Sequence, residues 1–283
     1  MKLSQTKFTV LLLVVASVTS GCGVINGIRA KNQLNEGAAA YKAGRFADAQ
    51  KHFESAEQLD SSQRNAPLFI ARAIHAQYRP GVDTSENLSK GQAAIEAYKR
   101  VMERNPGDDN SFTAVTVLYR QMKDENKERE WLMQRANLEA APKEKRSDAM
   151  TVLASKEWNC SYEITEQKDN KETIQKPDAV LIQYKKPQDQ AEFDKARNCA
   201  MKGLELVNQA ISLNENNPSA WSYKTNLLRE MAKFSQMENK PDEKTRYDKE
   251  AEAALAVHTR LSEEAARRKE EEAAKKSPSP PAS

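Results

Sequence analysis

Between Gln33 and Leu59, apolar and small residues recur in two runs. Leu34, Gly37 and Tyr41 form the first, Ala49, Phe53, Ala56 and Leu59 the second, with Gly44 between them. Residues three and four apart share one face of a helix, so the pattern predicts two amphipathic helices. Gly44 can take the positive φ of a tight turn between them. Small residues at Gly37 and Ala49 let the helices approach closely, and Phe46 and Phe53 fill the remaining gap. The pattern returns downstream. Ile70, Ala71 and Ile74 form the inward face of a helix starting at Ala66, which Arg79-Pro80-Gly81 breaks. After an insertion at 79–89, Ala94, Tyr98 and Val101 resume it before Asn105-Pro106 ends the helix. A third pair carries Val115, Tyr119, Trp131 and Leu132, but Lys123 stands at the turn and Glu128 at a position that wants a small residue, which predicts looser packing. A fourth has a first helix over 147–160, an irregular insertion at 161–190 containing Pro177 and Pro187, and a second helix bearing Gly203, Val207, Ala210 and Leu213. Asn216-Asn217-Pro218 marks the next boundary, followed by Trp221 and Leu228, and then by Tyr247, Ala251 and Ala254 on a helix from about Asp242.

The spacing of Gly44, Phe46, Ala49, Phe53 and Ala56 resembles the tetratricopeptide repeat, a helix-turn-helix unit of about 34 residues. The resemblance implies an all-α solenoid of about five antiparallel helix pairs over 31–261, because such a unit cannot bury its apolar face without neighbours. It also implies a binding surface, with the first helix of each pair lining a concave groove. Mapped onto this chain, the exposed groove positions include Arg72, His75, Asn110, Arg120, Gln121, Trp158, Asn226 and Arg229. Arg72, Arg120 and Arg229 would present guanidinium forks to carboxylates of an extended protein or peptide partner, with Trp158 as aromatic anchor. On that reading, Arg120→Ala combined with Arg229→Ala weakens partner capture and leaves the melting curve nearly unchanged. The plainer alternative is a solvated helical face in a chain with 30% charged residues.

The ends differ in kind. Lys2 and Lys7, the apolar run Phe8–Val18 and the small residues before Cys22 read as a secretory leader over 1–21, too short to span a bilayer. Ser20-Gly21-Cys22 resembles a bacterial lipoprotein signal, which implies cleavage before Cys22, acylation of its thiol and a stable membrane anchor. Gly23, in place of an aspartate, implies sorting to the outer membrane, with 22–30 as a short flexible tether. Residues 262–283 read as a charged, solvated helix followed by a disordered Pro/Ser tail.

Charge narrows the field further. Loss of Lys2 and Lys7 with the leader brings the formal +3 down to about +1, and the tail's charges alternate in short blocks, so no nucleic-acid partner is implied. Cys160 and Cys199, left over once Cys22 is acylated, can form a disulfide in an oxidising compartment or remain half-buried thiols. His52, His75 and His258 are not spaced with cysteines or each other as metal ligands, and no phosphate loop or nucleophile elbow occurs, so neither metal, cofactor nor enzymatic activity is expected. The expectation is a lipid-anchored scaffold of the bacterial cell envelope, facing the periplasm from the outer membrane and serving outer-membrane or pilus assembly. A carrier that delivers substrate to an envelope export system is the alternative.

Overall fold

The computed structural model describes the backbone of residues 4–276 and the side chains of 23–275. The Cys22 side chain and the Pro/Ser tail from 277 onward lie outside the described residues. Those residues form ten α-helices and one two-stranded sheet, and they fall into two compact units, Met1–Glu128 and Arg129–Ser283. The boundary between the units falls inside a helix.

The first unit contains α1 (Ser4–Lys42), α2 (Phe46–Leu59), α3 (Ala66–His75), α4 (Ser85–Arg104), α5 (Asp109–Gln121) and the start of α6 (Glu125–Asn137). Gly44 turns α1 into α2 at a φ of 74°, which costs a residue without a Cβ nothing. Gly37 lies against the Phe53 ring so tightly that an added Cβ would come within 2.5 Å of it. Ala49, Phe53 and Ala56 are buried on the facing helix, as their spacing requires. Helix α1 continues without a break through 23–30, the stretch expected as a flexible tether. Ala30 there is fully buried and Gly27 lies beside Asp60, so α1 extends along the whole of α2.

The 79–89 insertion is a loop pinned by Asn87. Its buried amide donates to the carbonyls of Arg79 and Val82 and accepts from the Arg79 amide, each at 2.8 Å. Thr84 and Asp108 cap α4 and α5 by accepting from Asn87 and Ser111 backbone amides. Lys123 takes the turn at a φ of 58° although it is not glycine.

The second unit contains the rest of α6, then α7 (Lys143–Thr165), α8 (Gln190–Leu213), α9 (Pro218–Met237) and α10 (Pro241–Lys276). Gly203 of α8 admits Leu227 of α9 at a distance where a Cβ would meet it at 2.5 Å. Ile164, Phe193, Ala196, Ala200, Met231 and Phe234 form the core of α7, α8 and α9. Leu228 packs with Ala251 and Ala254 of α10, and Asn217 caps α9 with Pro218 in its first turn. Helix α10 runs unbroken through residue 262, so the charged segment continues the last helix of the fold rather than starting a new element. Cys160 on α7 is disulfide-bonded to Cys199 on α8.

The segment 161–190 is not irregular. Helix α7 reaches Thr165, a 3-10 turn spans Lys168–Asn170, and β1 (Lys171–Lys176) pairs antiparallel with β2 (Ala179–Tyr184). Pro177 and Asp178 make the two-residue turn without a positive φ, where the ring-fixed φ of proline suits the first turn position.

Candidate partner-binding cleft

The N-terminal half of α9 presents Ser219, Ser222, Tyr223 and Asn226 on one face, because these positions recur every three to four residues. Trp158 of α7 lies across from them, its ring 6.0 Å from that of Tyr223 and 4.9 Å from that of Tyr162. The later turns of α10 supply His258, Ser262, Ala265, Ala266 and Lys269 as a third wall, which completes an open cleft of 610 Å³. The ring Nδ1 of His258 donates to the Pro218 carbonyl at 2.9 Å. That bond ties α10 to the start of α9 and leaves Nε2 to accept a bond from a ligand when the ring is neutral. The cleft thus offers an aromatic wall, hydroxyl and amide groups, and the ammonium of Lys269. It can hold an apolar or aromatic side chain, orient it with hydrogen bonds and attract a nearby carboxylate.

Behind Trp158 the three elements α7, α9 and the hairpin are joined by a polar network. The Glu230 carboxylate, buried on α9, accepts from Ser161 at 2.9 Å, from Thr165 at 2.8 Å and from Lys233 at 2.6 Å. The Lys233 ammonium also donates to Glu166 at 2.8 Å and lies 4.6 Å over the Tyr184 ring. Glu166 further accepts from Lys171 and from the Tyr184 hydroxyl, each at 2.7 Å. Burial would raise the Glu166 pKa, but these three donors more than offset it and hold the carboxyl at about 2. Tyr184 is shifted the other way, upward, by burial and by the carboxylate it donates to. The network anchors the hairpin base.

Trp158 and Asn226, reached from the sequence pattern, meet in this cleft, and Arg229 is exposed on the turn of α9 beyond Asn226. Arg72, His75, Asn110, Arg120 and Gln121 belong to the first unit. Arg72 and Asn110 are exposed there. His75 turns toward α4 instead, edge-on to Tyr98 with Nδ1 3.2 Å from its hydroxyl, and burial lowers its pKa. Burial likewise pushes the Tyr98 phenol up to about 12. Arg120 directs Nε and Nη2 to Glu128 at 2.9 and 2.8 Å, and the Glu128 side chain is only 1% exposed. Where close packing wanted a small residue, the chain has a buried carboxylate and an arginine that serves it. Arg120 thus pairs with a residue of its own unit. Gln121 is half-buried, with its Oε1 buried and unpartnered among the described residues. A second cleft, of 710 Å³, lies in the first unit between the Gly44 turn and the 79–89 loop, with Arg45, Asp48, Arg79, Glu86 and Lys90 among its lining residues.

Sequence reasoning missed Tyr162, Tyr223, His258 and Lys269. Tyr162 and Tyr223 sit four and two residues from conspicuous tryptophans, but nothing in their local pattern shows that α7 and α9 bring them together. Lys269 comes from the charged segment read as a solvated end, and His258 from the last helix of the expected array, where it was weighed only as a metal ligand.

Among the described residues no helix is long and apolar enough to cross a membrane, and no group of His, Cys, Asp or Glu side chains could hold a metal ion. No family model matches the sequence, and no curated protein is similar to it. Among solved structures the chain is similar to two crystal structures of MamA. One is 12% identical over 79% of this chain and 96% of that chain, with a TM-score of 0.38. The other is 11% identical over 83% and 96%, with a TM-score of 0.36. The class of the fold follows from the chain's own helix hairpins: it is all-α, built of successive antiparallel helix pairs, with a small β-hairpin inserted in the second unit.

Proposed function

We propose that this chain is a binding protein of the bacterial cell envelope, acylated at Cys22 and held at the outer membrane, that captures a protein or peptide partner in the α7–α9–α10 cleft. The observation that carries this reading is the meeting of Trp158, Tyr223 and Lys269 from three helices around one open cleft. A half-buried indole in a concave site is a good anchor for a partner side chain, and the ammonium suits an acidic neighbour on that partner. The Cys160–Cys199 disulfide supports an oxidising compartment. The role is non-catalytic, in outer-membrane or pilus assembly.

A second reading, delivery of a glycan or other substrate to an export system, gains from the clustering of Trp158, Tyr162 and Tyr223, since sugar rings stack on aromatic faces. Cross-linking and capture from the native envelope distinguishes the two. With the peptide reading, native protein recovers a protein that Trp158→Ala loses by about tenfold or more, both melting alike. Equal recovery by the variant sinks the cleft, and retention by immobilised polysaccharide that depends on Trp158 selects the second reading. Cys22→Ala should abolish incorporation of radiolabelled palmitate and release the chain from membranes. Retained label would refute acylation at that residue.

A further inference from the structure

The two strands of the hairpin are unlike. Strand β1 carries Lys171, Glu172 and Lys176, whereas β2, Ala179-Val180-Leu181-Ile182-Gln183-Tyr184, has no charge, proline or glycine. Edge strands are normally guarded by such residues, so β1 is guarded and β2 is open. Val180, Leu181 and Ile182 are 60%, 43% and 50% exposed, and they alternate between both faces of the sheet. A hairpin of two strands with apolar residues in water on both faces is marginal by itself and gains from a further strand.

The ladder shows which groups are available to that strand. Just past its end, the Lys185 amide donates to the Asn170 carbonyl at 2.8 Å, and the next pair is Lys171 with Tyr184. Antiparallel ladders alternate, so Gln183, Leu181 and Ala179 turn their backbone groups toward β1. Tyr184, Ile182 and Val180 turn theirs outward, to an edge with no strand beside it in this two-stranded sheet.

We propose that the β2 edge pairs antiparallel with the same edge of a second copy of this chain, with Ile182 on the two-fold axis. In that register Ile182 opposes Ile182 of the second copy and Val180 opposes Tyr184, both as hydrogen-bonded pairs, which is what the outward groups require. Val180, Ile182 and Tyr184 of the two copies then form one apolar strip on a single face. Two residues beyond, Asp178 of each copy opposes Lys186 of the other, so opposite charges meet at both ends. The neighbouring two-fold register, centred on Leu181, sets Lys176 against Lys186 and gives Asp178 no cation. Charge therefore selects the Ile182 register. Lys185 already pairs with Glu172, and the Lys186 ammonium lies 4.6 Å over the Phe193 ring. This pairing does not depend on the cleft or its ligand.

The test is residue-resolved amide exchange on the full-length chain across a concentration series, alongside sedimentation equilibrium. The expected result is a dimer in which the amides of Val180, Ile182 and Tyr184 gain protection with concentration, while those of Leu181 and Gln183 are protected by β1 at every concentration. Ile182→Lys, which sets like charges opposite each other at the axis, weakens the dimer about tenfold or more. Asp178→Lys weakens it and Asp178→Lys with Lys186→Asp restores it. A chain that stays monomeric throughout overturns the proposal, as does a dimer whose Val180, Ile182 and Tyr184 amides stay unprotected. A synthetic peptide of residues 178–186 should protect the same three amides in dilute protein. Equal protection by a scrambled peptide of that composition would mean that the edge accepts any apolar strand, and would also overturn it.

Discussion

Replacing Lys233 with methionine tests whether the network behind the cleft holds the second unit together. Its side chain is 11% exposed and stands between Glu230, 2% exposed, and Glu166, 20% exposed. Methionine keeps the length and the apolar stem but removes the charge, which leaves one oxygen of Glu230 without its 2.6 Å donor and takes one of three donors from Glu166. Breaking a buried ion pair from one side costs about 3–5 kcal/mol. Ser161 and Thr165 still serve the other oxygen of Glu230, and Lys171 and Tyr184 still serve Glu166, so the lower end applies, about 3 kcal/mol. At roughly 2–4 °C per kcal/mol for a unit of this size, the melting temperature should fall by about 6–12 °C at pH 7. Adding Glu230→Gln should return about 1–2 kcal/mol, since a neutral amide costs less to bury than a stranded carboxylate. Urea titration of the three proteins measures this directly. A Lys233→Met protein within about 1 kcal/mol of the parent, or a double variant no more stable than the single one, would refute the reasoning.

Other outcomes follow from the same geometry. Glu166 has a folded pKa of about 2 against an ordinary 4.5, so it contributes stability above pH 4.5 that is lost as the pH falls toward 2. Acid titration of the native chain should be steeper in that window than that of Lys233→Met. Lys123 occupies the left-handed region at a φ of 58°, so Lys123→Gly should raise stability by roughly 1 kcal/mol, seen as a higher urea midpoint with unchanged slope. The disulfide closes a separation of 39 residues, and its replacement by Cys160→Ser with Cys199→Ser should cost roughly 4 kcal/mol by chain entropy. A double variant that melts with the parent would show that α7 and α8 are held by packing alone.

The helix hairpins were legible because close packing restricts residue type locally. Gly37, Ala49 and Phe53 in the first pair, and Gly203, Val207 and Ala210 later, are buried where their spacing places them. A smaller part of the candidate site was legible as well, through Trp158 and Asn226. Glu128 and Lys123 were visible as departures from the pattern, but their resolution was not: one is buried against Arg120 and the other adopts the backbone a glycine would have taken. The hairpin at 171–184 was read as irregular because β1 is polar except for Ile174 and two short strands carry little periodic signal.

Sequence by itself determined what depends on neighbours a few residues away: helix faces, the boundary at Asn217-Pro218, the Gly44 turn, and the resemblance that follows from them. Tertiary structure alone decided what depends on partners far along the chain. Ser161 reaches Glu230 across 69 residues and His258 reaches Pro218 across 40, and no local pattern announces either. A helix needs its apolar residues at fixed intervals, so it leaves a periodic trace. A polar network or a three-walled cleft needs only that its members arrive at the same place, and that is set by how whole helices pack.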